Sequence, residues 1–269
     1  MKKIIYRFLI TLVVLIFGGI IFLSTVGIKT DKFNSKITEQ TKKVNKDLKI
    51  KLNDVMITLD PLKFKFIVKT FGTNLILKDK KIQLKNIKTN ISIISLFNRN
   101  FSLSDLVIST KPLEINNLAS FLRLLKNDPK IYIAEKLIKK GYVVSDIKLY
   151  FDRFGNIKDN YQVSGIVKDG RINFLKKYDF KNIDFNFKIK NKNFEFADLK
   201  LFLNEKKFYS PKLSIINIKN KYSFFGKINN DDLILLAKDL ENFIKIDSIN
   251  SNIKKVNFNS ENNFQFSLD

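Results

Sequence analysis

The chain has 269 residues, 49 of them basic and 26 acidic, giving a formal charge of +23, and it contains neither cysteine nor histidine. Without cysteine there is no disulfide framework, thiol nucleophile or thiolate metal site, and without histidine both Ser-His-Asp hydrolysis and His-ligated zinc are excluded. The charge would suit nucleic acid or anionic lipid. However, only Arg7, Arg99, Arg123, Arg153 and Arg171 offer the bidentate fork suited to phosphates and bases, and the lysines are spread along the chain instead of forming one block. A codon bias towards Lys, Asn, Ile and Phe explains the composition without a polyanion, so no nucleic-acid partner is expected.

Residues 1–28 form a separate unit. Phe8–Leu23 (FLITLVVLIFGGIIFL) is uncharged, and Ser24 to Ile28 extend the uncharged run to 21 residues. About 20 such residues cross a hydrocarbon layer as a helix. Lys2, Lys3 and Arg7 precede the run, which places the N-terminus in the cytoplasm. The expectation is a single-pass signal-anchor in an inner (cytoplasmic) membrane, with the bulk of the chain periplasmic. The alternative is a cleaved signal peptide, disfavoured because the core is long and Ser24, Thr25 and Gly27 lie among bulky neighbours. Either way the rest is exported. The Gly18-Gly19 pair would allow close approach of another helix, but it is also ordinary composition for such a segment.

Residues 29–47 read as a polar helical stalk, with Phe33, Ile37, Val44 and Leu48 on a thin stripe suited to packing on their own domain. Residues 48–269 read as one β-rich domain. Val55/Ile57/Leu59 and Phe64/Phe66/Val68 alternate. Ile183 to Lys190 (IDFNFKIK) alternates without a break, with every odd residue apolar and every even one polar. Leu75/Leu77, Ile82/Leu84, Ile147/Leu149/Phe151, Phe194/Phe196, Leu199/Leu201/Leu203, Leu213/Ile215 and Phe224/Gly226/Ile228 repeat the pattern. Such alternation predicts antiparallel sheet with one apolar and one solvated face.

Asp60-Pro61 is expected to start a strand. Arg153–Asn156, Lys168–Arg171 and Asn191–Asn193 read as hairpin loops. A helical insert is expected at about 117–140: one helix over Asn117–Lys126, then a second capped by Asp128-Pro129, running to Lys139-Lys140 and stopped by Gly141. A further helix is expected at about 231–246, with Leu233, Leu236, Ala237, Leu240 and Phe243 on one side and Asp231-Asp232 at its start.

The fold class is therefore mostly β with short helices: an N-terminal transmembrane helix followed by a curled antiparallel sheet. Two short helical regions cannot cover the apolar face of a dozen strands, so the sheet must curl on itself. It could become a half-open groove or a closed sandwich or barrel. The 26 phenylalanines serve either outcome, and pattern alone puts the closed core ahead of a trough for lipid chains.

The order of a basic N-terminus, one apolar helix, a polar helix and then LKIKLNDVMITLDPLKFKF (Leu48–Phe66) resembles the opening of AsmA-like envelope proteins. YQVSGIVKDGRINF (Tyr161–Phe174), FKNIDFNFKIKNKNFEFADLKLFL (Phe180–Leu203) and YSFFGKI (Tyr222–Ile228) resemble that group's repeated strand–Gly–strand units, with Gly165 and Gly226 in matching places. The resemblance spans most of the chain and rests on order and pattern. It implies an inner-membrane protein with a grooved, apolar-lined β-sheet, and for the larger members bridging of membranes and conduction of phospholipid. One departure is size: twelve strands at ~4.8 Å reach only about 58 Å, too short for one copy to cross a wide envelope.

No phosphate loop, dinucleotide fingerprint or nucleophile elbow occurs. Gly165–Gly170 lacks the Lys-Ser/Thr ending of a phosphate loop. Asp231-Asp232 read as a helix cap, and Asp146, Asp152 and Asp159 show no sign of converging. No catalytic residue, metal ligand or cofactor is assigned, and no enzyme is expected. The leading expectation is lipid transport or envelope biogenesis, with phospholipid acyl chains lying on Phe185, Phe187, Ile189, Phe194 and Phe196, backed by Val163 and Phe224. The alternatives are a non-catalytic periplasmic scaffold or assembly factor with a closed core and an envelope protein partner, and a polyanion binder using the Lys-rich faces.

Overall fold

A computed structural model describes residues 2–31, 34–93, 105–152, 158–174, 178–218, 221–236 and 254–268. The fold is mostly antiparallel β with an apolar N-terminal helix and three short helices, and the sheet does not close. Contacts divide the chain into two compact units, one of residues 1–111 and 146–161 and the other of 112–145 and 162–269.

The first unit begins with α1 (Lys2–Thr25), whose 24 residues span about 36 Å at 1.5 Å per residue. It is long and apolar enough to cross a membrane. It ends in a left-handed cap: the N–H groups of Val26 and Gly27 both donate to the Phe22 carbonyl at 2.8 and 3.0 Å, and Gly27 has φ +71°. A Cβ at Gly27 would stand 2.6 Å from the Ile57 carbonyl oxygen, so glycine is required there for space as well as for φ. Strand β1 (Ile28–Thr30) follows at once, and α2 (Asn34–Val44) comes next.

Four short strands then lead into a long one: β2 (Leu48–Lys51), β3 (Val55–Asp60), β4 (Lys65–Thr70), β5 (Asn74–Leu77) and β6 (Lys80–Ser92). β6 serves two sheets. Its first residues pair with β5, which pairs with β2, while its last residues pair with β4. β4 pairs with β3 and β3 with β1. Beside β6 lies β7 (Asp105–Thr110), followed by residues 146–150 of a later strand.

A buried core sits where the two sheets meet. Val55, Leu77, Leu48, Ile50, Ile82 and Leu84 are all buried. The buried hydroxyls of Thr70 and Thr73 satisfy one another at 2.7 Å, and the Ile87 N–H donates to Thr70 Oγ1 at 2.9 Å, so little polar capacity is left unmet. α2 packs on β2, which makes it part of this unit and not a free stalk.

The second unit opens with β8 (Leu113–Glu114), α3 (Ile115–Leu125) and α4 (Pro129–Leu137). Asp128 caps α4 by accepting the Lys130 N–H, with Pro129 in the first turn as expected. The two helices are clamped by Glu135, which accepts from Ser120 Oγ and from Arg123 Nε, both at 2.6 Å. The Ser120 hydrogen bond, with help from Arg123, holds the Glu135 carboxyl below its ordinary value despite the opposing cost of burial.

Six long strands complete the unit after β9 (Ile138–Tyr150): β10 (Gln162–Phe174), β11 (Tyr178–Lys190), β12 (Asn193–Leu203), β13 (Lys206–Ile218), β14 (Lys221–Leu236) and β15 (Lys255–Leu268). Each pairs with the next in antiparallel fashion.

Several expectations are corrected. The second helix of the insert stops at Leu137, and Ile138 to Lys140 already belong to β9. Gly141 is not a helix stop. It lies in that strand at a close crossing, where a Cβ would stand 3.0 Å from Gly170 Cα. Lys168–Arg171 is no hairpin but an irregularity inside β10, whose pairing with β11 continues on both sides. Asp60-Pro61 lies at the end of β3, in the turn before β4, instead of starting a strand.

Residues 231–236 are strand, not helix, because Leu233 to Leu236 find ladder partners in Phe258 to Lys255. Asp231-Asp232 therefore lie within a strand and not at a helix start, and residues 237–246 of that expected helix lie outside the described residues, as do Arg153–Asn156. The Asn191-Lys192 turn is as expected: Lys190 pairs with Asn193, and both turn residues have φ above +50°.

Leu77→Ala should lower the stability of the first unit by about 2–5 kcal/mol through the cavity left behind, read as a shift in its denaturant midpoint. Because the Glu135 carboxyl lies below its ordinary value of 4.5 in the folded state, its contribution is complete above that value and is lost as the pH falls further. The stability difference between wild type and Glu135→Gln should therefore be present at neutral pH and shrink towards zero in acid titrations of melting temperature.

Candidate apolar face

The seven residues singled out in the sequence lie in the second unit, on one face of β10–β14. In an antiparallel pair, directly opposite residues share a face. Val163 stands opposite Ile189, Ile189 opposite Phe194, Phe194 opposite Ile215, Ile215 opposite Phe224, and Phe224 opposite Phe266. This forms one apolar row across six strands. The next row runs Gly165, Phe187, Phe196, Leu213, Gly226 and Phe264. Val167 and Phe185 begin a third. All seven sequence-selected residues are half-buried, neither enclosed in a core nor fully solvated.

The two glycines make room for rings. A Cβ at Gly165 would stand 2.9 Å from Phe187 Cε1 and would also run into the Val144 carbonyl oxygen, and one at Gly226 would enter the Phe264 ring. Each ring thus lies over the bare backbone of the opposite strand, which removes apolar area from water where no side chain is available to do so. The rings also order one another. Phe185 packs edge-on against Phe187 and Phe196 with centroids 6.1 and 5.5 Å apart, and Phe224 stacks on Phe266 at 4.7 Å.

Sequence alternation alone would not keep these strands apolar on one side from end to end. In β10 the apolar residues of this face are odd up to Val167 and even from Gly170, with Ile166 exposed on the other side. In β11 they are even at Phe180 and odd from Ile183. In β12 they are even to Phe196 and odd from Leu199. At each change of parity sits a left-handed residue: Asp169 (φ +52°), Asn182 (φ +50°) and Asp198 (φ +54°). β13 changes parity across Pro211, and β14 has a register shift between Asn230 and Leu233. Such irregularities add a residue, bend the strand and re-aim the side chains beyond them.

The consequence is visible in an apolar hollow of about 200 Å³ at the level of the kinks. It is lined by Phe180, Leu199, Leu201, Leu203 and Phe208 from beyond them and by Leu213 and Ile228 from before them. Both halves of the strands therefore contribute to the same face. The hollow is smaller than the ~300–1,000 Å³ of an enclosed ligand pocket, so it is a local deepening of an open surface. The sequence reading missed these residues beyond the kinks as part of the site, and the parity changes at Asp169, Asn182 and Asp198 were the signal that would have included them.

The opposite face is polar and carries several ion pairs. Lys168 meets Asp184 at 2.7 Å, Arg171 meets Asp179 at 2.9 Å, Lys181 meets Asp179 at 3.5 Å and also Glu205, and Lys227 meets Glu261 at 2.5 Å. The Arg171 guanidinium holds the Asp179 carboxyl below its ordinary range. These pairs add little stability.

Gly226→Ala should push the Phe264 ring off its seat at an overpacking cost of about 1–3 kcal/mol. Amide hydrogen exchange in Lys255–Leu268 should accelerate roughly ten- to a hundredfold while that in Leu48–Leu84 is unchanged. Against protein-family models, curated proteins and solved structures, the chain matches none.

Proposed function

We propose that this chain is a membrane-anchored, AsmA-like envelope protein that holds lipid acyl chains on the apolar face of β10–β15, in the service of lipid transport or envelope biogenesis. α1 supplies the anchor, in an inner membrane with the N-terminus cytoplasmic and the β units periplasmic. The observation that carries this reading is the pair of apolar rows from Val163 to Phe266 and from Gly165 to Phe264. Their members are half-buried, with Phe266 more exposed, and α4 touches β10 at one end of the strand file. A face of this extent is costly to leave in water at about 25 cal/mol per Å², and large apolar patches mark interaction surfaces.

The dimensions suit the ligand. Six strands cover about 24 Å at ~4.8 Å spacing. An acyl chain occupies roughly half of a ~30 Å hydrocarbon layer, about 15 Å, so one chain fits across the rows. No chemistry is required: the chains rest on Phe, Ile and Leu while head groups stay in water. The scaffold reading draws on the first unit, whose core around Val55 and Leu77 is packed and closed. In that view the second unit would receive a protein partner.

The test uses the full-length chain in cells. A photoreactive benzophenone side chain is placed at Phe187 or Phe224 and, as controls on the opposite face, at Lys188 or Glu195. Phospholipid adducts at 187 and 224 but not at 188 and 195 are the expected result. Protein adducts alone at 187 and 224 would favour the scaffold. In a companion variant, Phe187→Glu should abolish lipid capture at 224 while the melting temperature falls by only a few degrees, since half-burial of one ring contributes about 1 kcal/mol. Global unfolding of that variant would make Phe187 core and remove the groove.

A further inference from the structure

The turn between β3 and β4 carries two of the most exposed large apolar side chains in the first unit. Leu62 is 92% exposed and Phe64 is 68% exposed, with Lys63 between them. Solubility alone would select against both. Phe64 is also in the left-handed region, with φ +50°, where a bulky side chain is disfavoured and Gly or Asn would be at ease. The chain thus accepts two costs at one residue. Yet the turn is well defined: Asp60 Oδ1 accepts the Lys63 N–H at 3.1 Å, and the Phe64 carbonyl accepts the Ile93 N–H at 3.1 Å. Local strain held by fixed surroundings points to a role for the residue that bears it.

Strand directions show where this tip lies. α1 ends at Thr25, Gly27 caps it, and β1 leaves from Ile28, so no linker separates the helix from the sheet. β1 runs away from the helix end. β3 is antiparallel to it, with Thr30 opposite Val55 and Ile28 opposite Ile57. β3 therefore runs back towards α1, passes Ile57 and Thr58 at Gly27, and touches the helix. Beyond Ile57 it continues through Thr58, Leu59 and Asp60, about 10 Å at ~3.3 Å per residue, before the turn. Val26 and Ile28 at the helix end are also exposed.

We propose that the Pro61–Phe64 turn is a second membrane contact, with Leu62 and Phe64 inserted into the interfacial layer of the membrane that holds α1 and with Lys63 and Lys29 at its anionic head groups. This rests on the reading that α1 crosses a membrane. The occupant is lipid and not a protein, because β3 carries the turn past the end of α1, the helix long and apolar enough to sit in lipid. Apolar side chains beside lysines suit a layer about 5–10 Å deep between head groups and acyl chains. The contact would fix the first unit against the bilayer at two points.

The chain has no native cysteine, so single-cysteine variants need no background removal. The full chain is reconstituted into vesicles of equal parts phosphatidylcholine and phosphatidylglycerol, with an environment-sensitive fluorophore at Val14→Cys, Leu62→Cys or Asp79→Cys. Nitroxide-bearing lipids report depth. Asp79 precedes the first residue of β6, whereas the turn adjoins the last, so it serves as the aqueous control. The expected result is deep quenching at 14, quenching at interfacial depth at 62 and none at 79. Adding Phe64→Asn, which suits the left-handed backbone and preserves the turn, should move the label at 62 towards water.

A label quenched at 14 but aqueous at 62 overturns the proposal and leaves the anchor standing. A label at 62 shielded from water but untouched by lipid nitroxides means a protein contact and also overturns it. An aqueous label at 14 removes the anchor itself, and the turn proposal with it.

Discussion

Backbone register in β10–β15 is the constraint on which the rest of the second unit depends. Side chains alternate across a strand, so a one-residue slip anywhere would carry its phenylalanines to the wet face. The ladder holds Ile189 against Val163 and Phe194, and Phe187 against Gly165 and Phe196. Where the sequence itself changes parity, a left-handed residue restores the side that the register demands. Asp and Asn occupy those three positions, residue types that visit this conformation at the least cost after glycine. The Asp198 carboxylate also accepts from Asn186 on the polar face, and the Asp169 backbone N–H donates to Asp184. Asp169 and Asp198 thus both aim the apolar face and tie down the polar one.

The two units put similar sequences to different uses. In the first, β6 is shared between two short sheets, so the inward sides of Leu48, Val55, Leu77 and Leu84 face one another and are buried. In the second, the strands are longer than β2–β5 and lie in a single file, and the apolar rows reach only half-burial. The difference does not lie in composition, because both are rich in Ile, Leu and Phe alternating with Lys and Asn. It lies in whether a second layer faces the first, since that layer turns an amphipathic sheet into a closed core. An acyl chain resting on the second unit would supply that missing layer.

Much of this was legible beforehand where the local signal was strong. Ile183 to Lys190 read as a strand and is one, because alternation over eight residues has no helical counterpart. Asn191-Lys192 read as a turn and is one, because both residues tolerate positive φ flanked by strands. The failures share a cause. Lys168–Arg171 contains the same Asp-Gly signal as a hairpin, but a single left-handed residue can kink a strand as easily as reverse it. Leu233 to Leu236 fit either period, and a ladder partner in β15, distant in sequence, settled the matter for strand. Gly141 stood where a helix stop belongs, while its actual role is to let β9 approach Gly170.

By itself the sequence determined the class of the protein: an apolar N-terminal helix, amphipathic strands, no histidine or cysteine for the usual catalysis, and a set of phenylalanines bound to share a side. These come from composition and from periods of two and 3.6, which are local properties. Only the tertiary structure decided that β3 runs back to the end of α1 and carries its turn there, that the first unit closes while the second does not, and that Leu199 to Leu203 join Phe194 and Phe196 on one face. Those outcomes depend on which strand pairs with which and on where the backbone passes through the left-handed region. The parity changes at Asp169, Asn182 and Asp198 mark the kinks locally, but which strands pair, and so which side each kink aims at, is set by contacts between residues far apart in the chain.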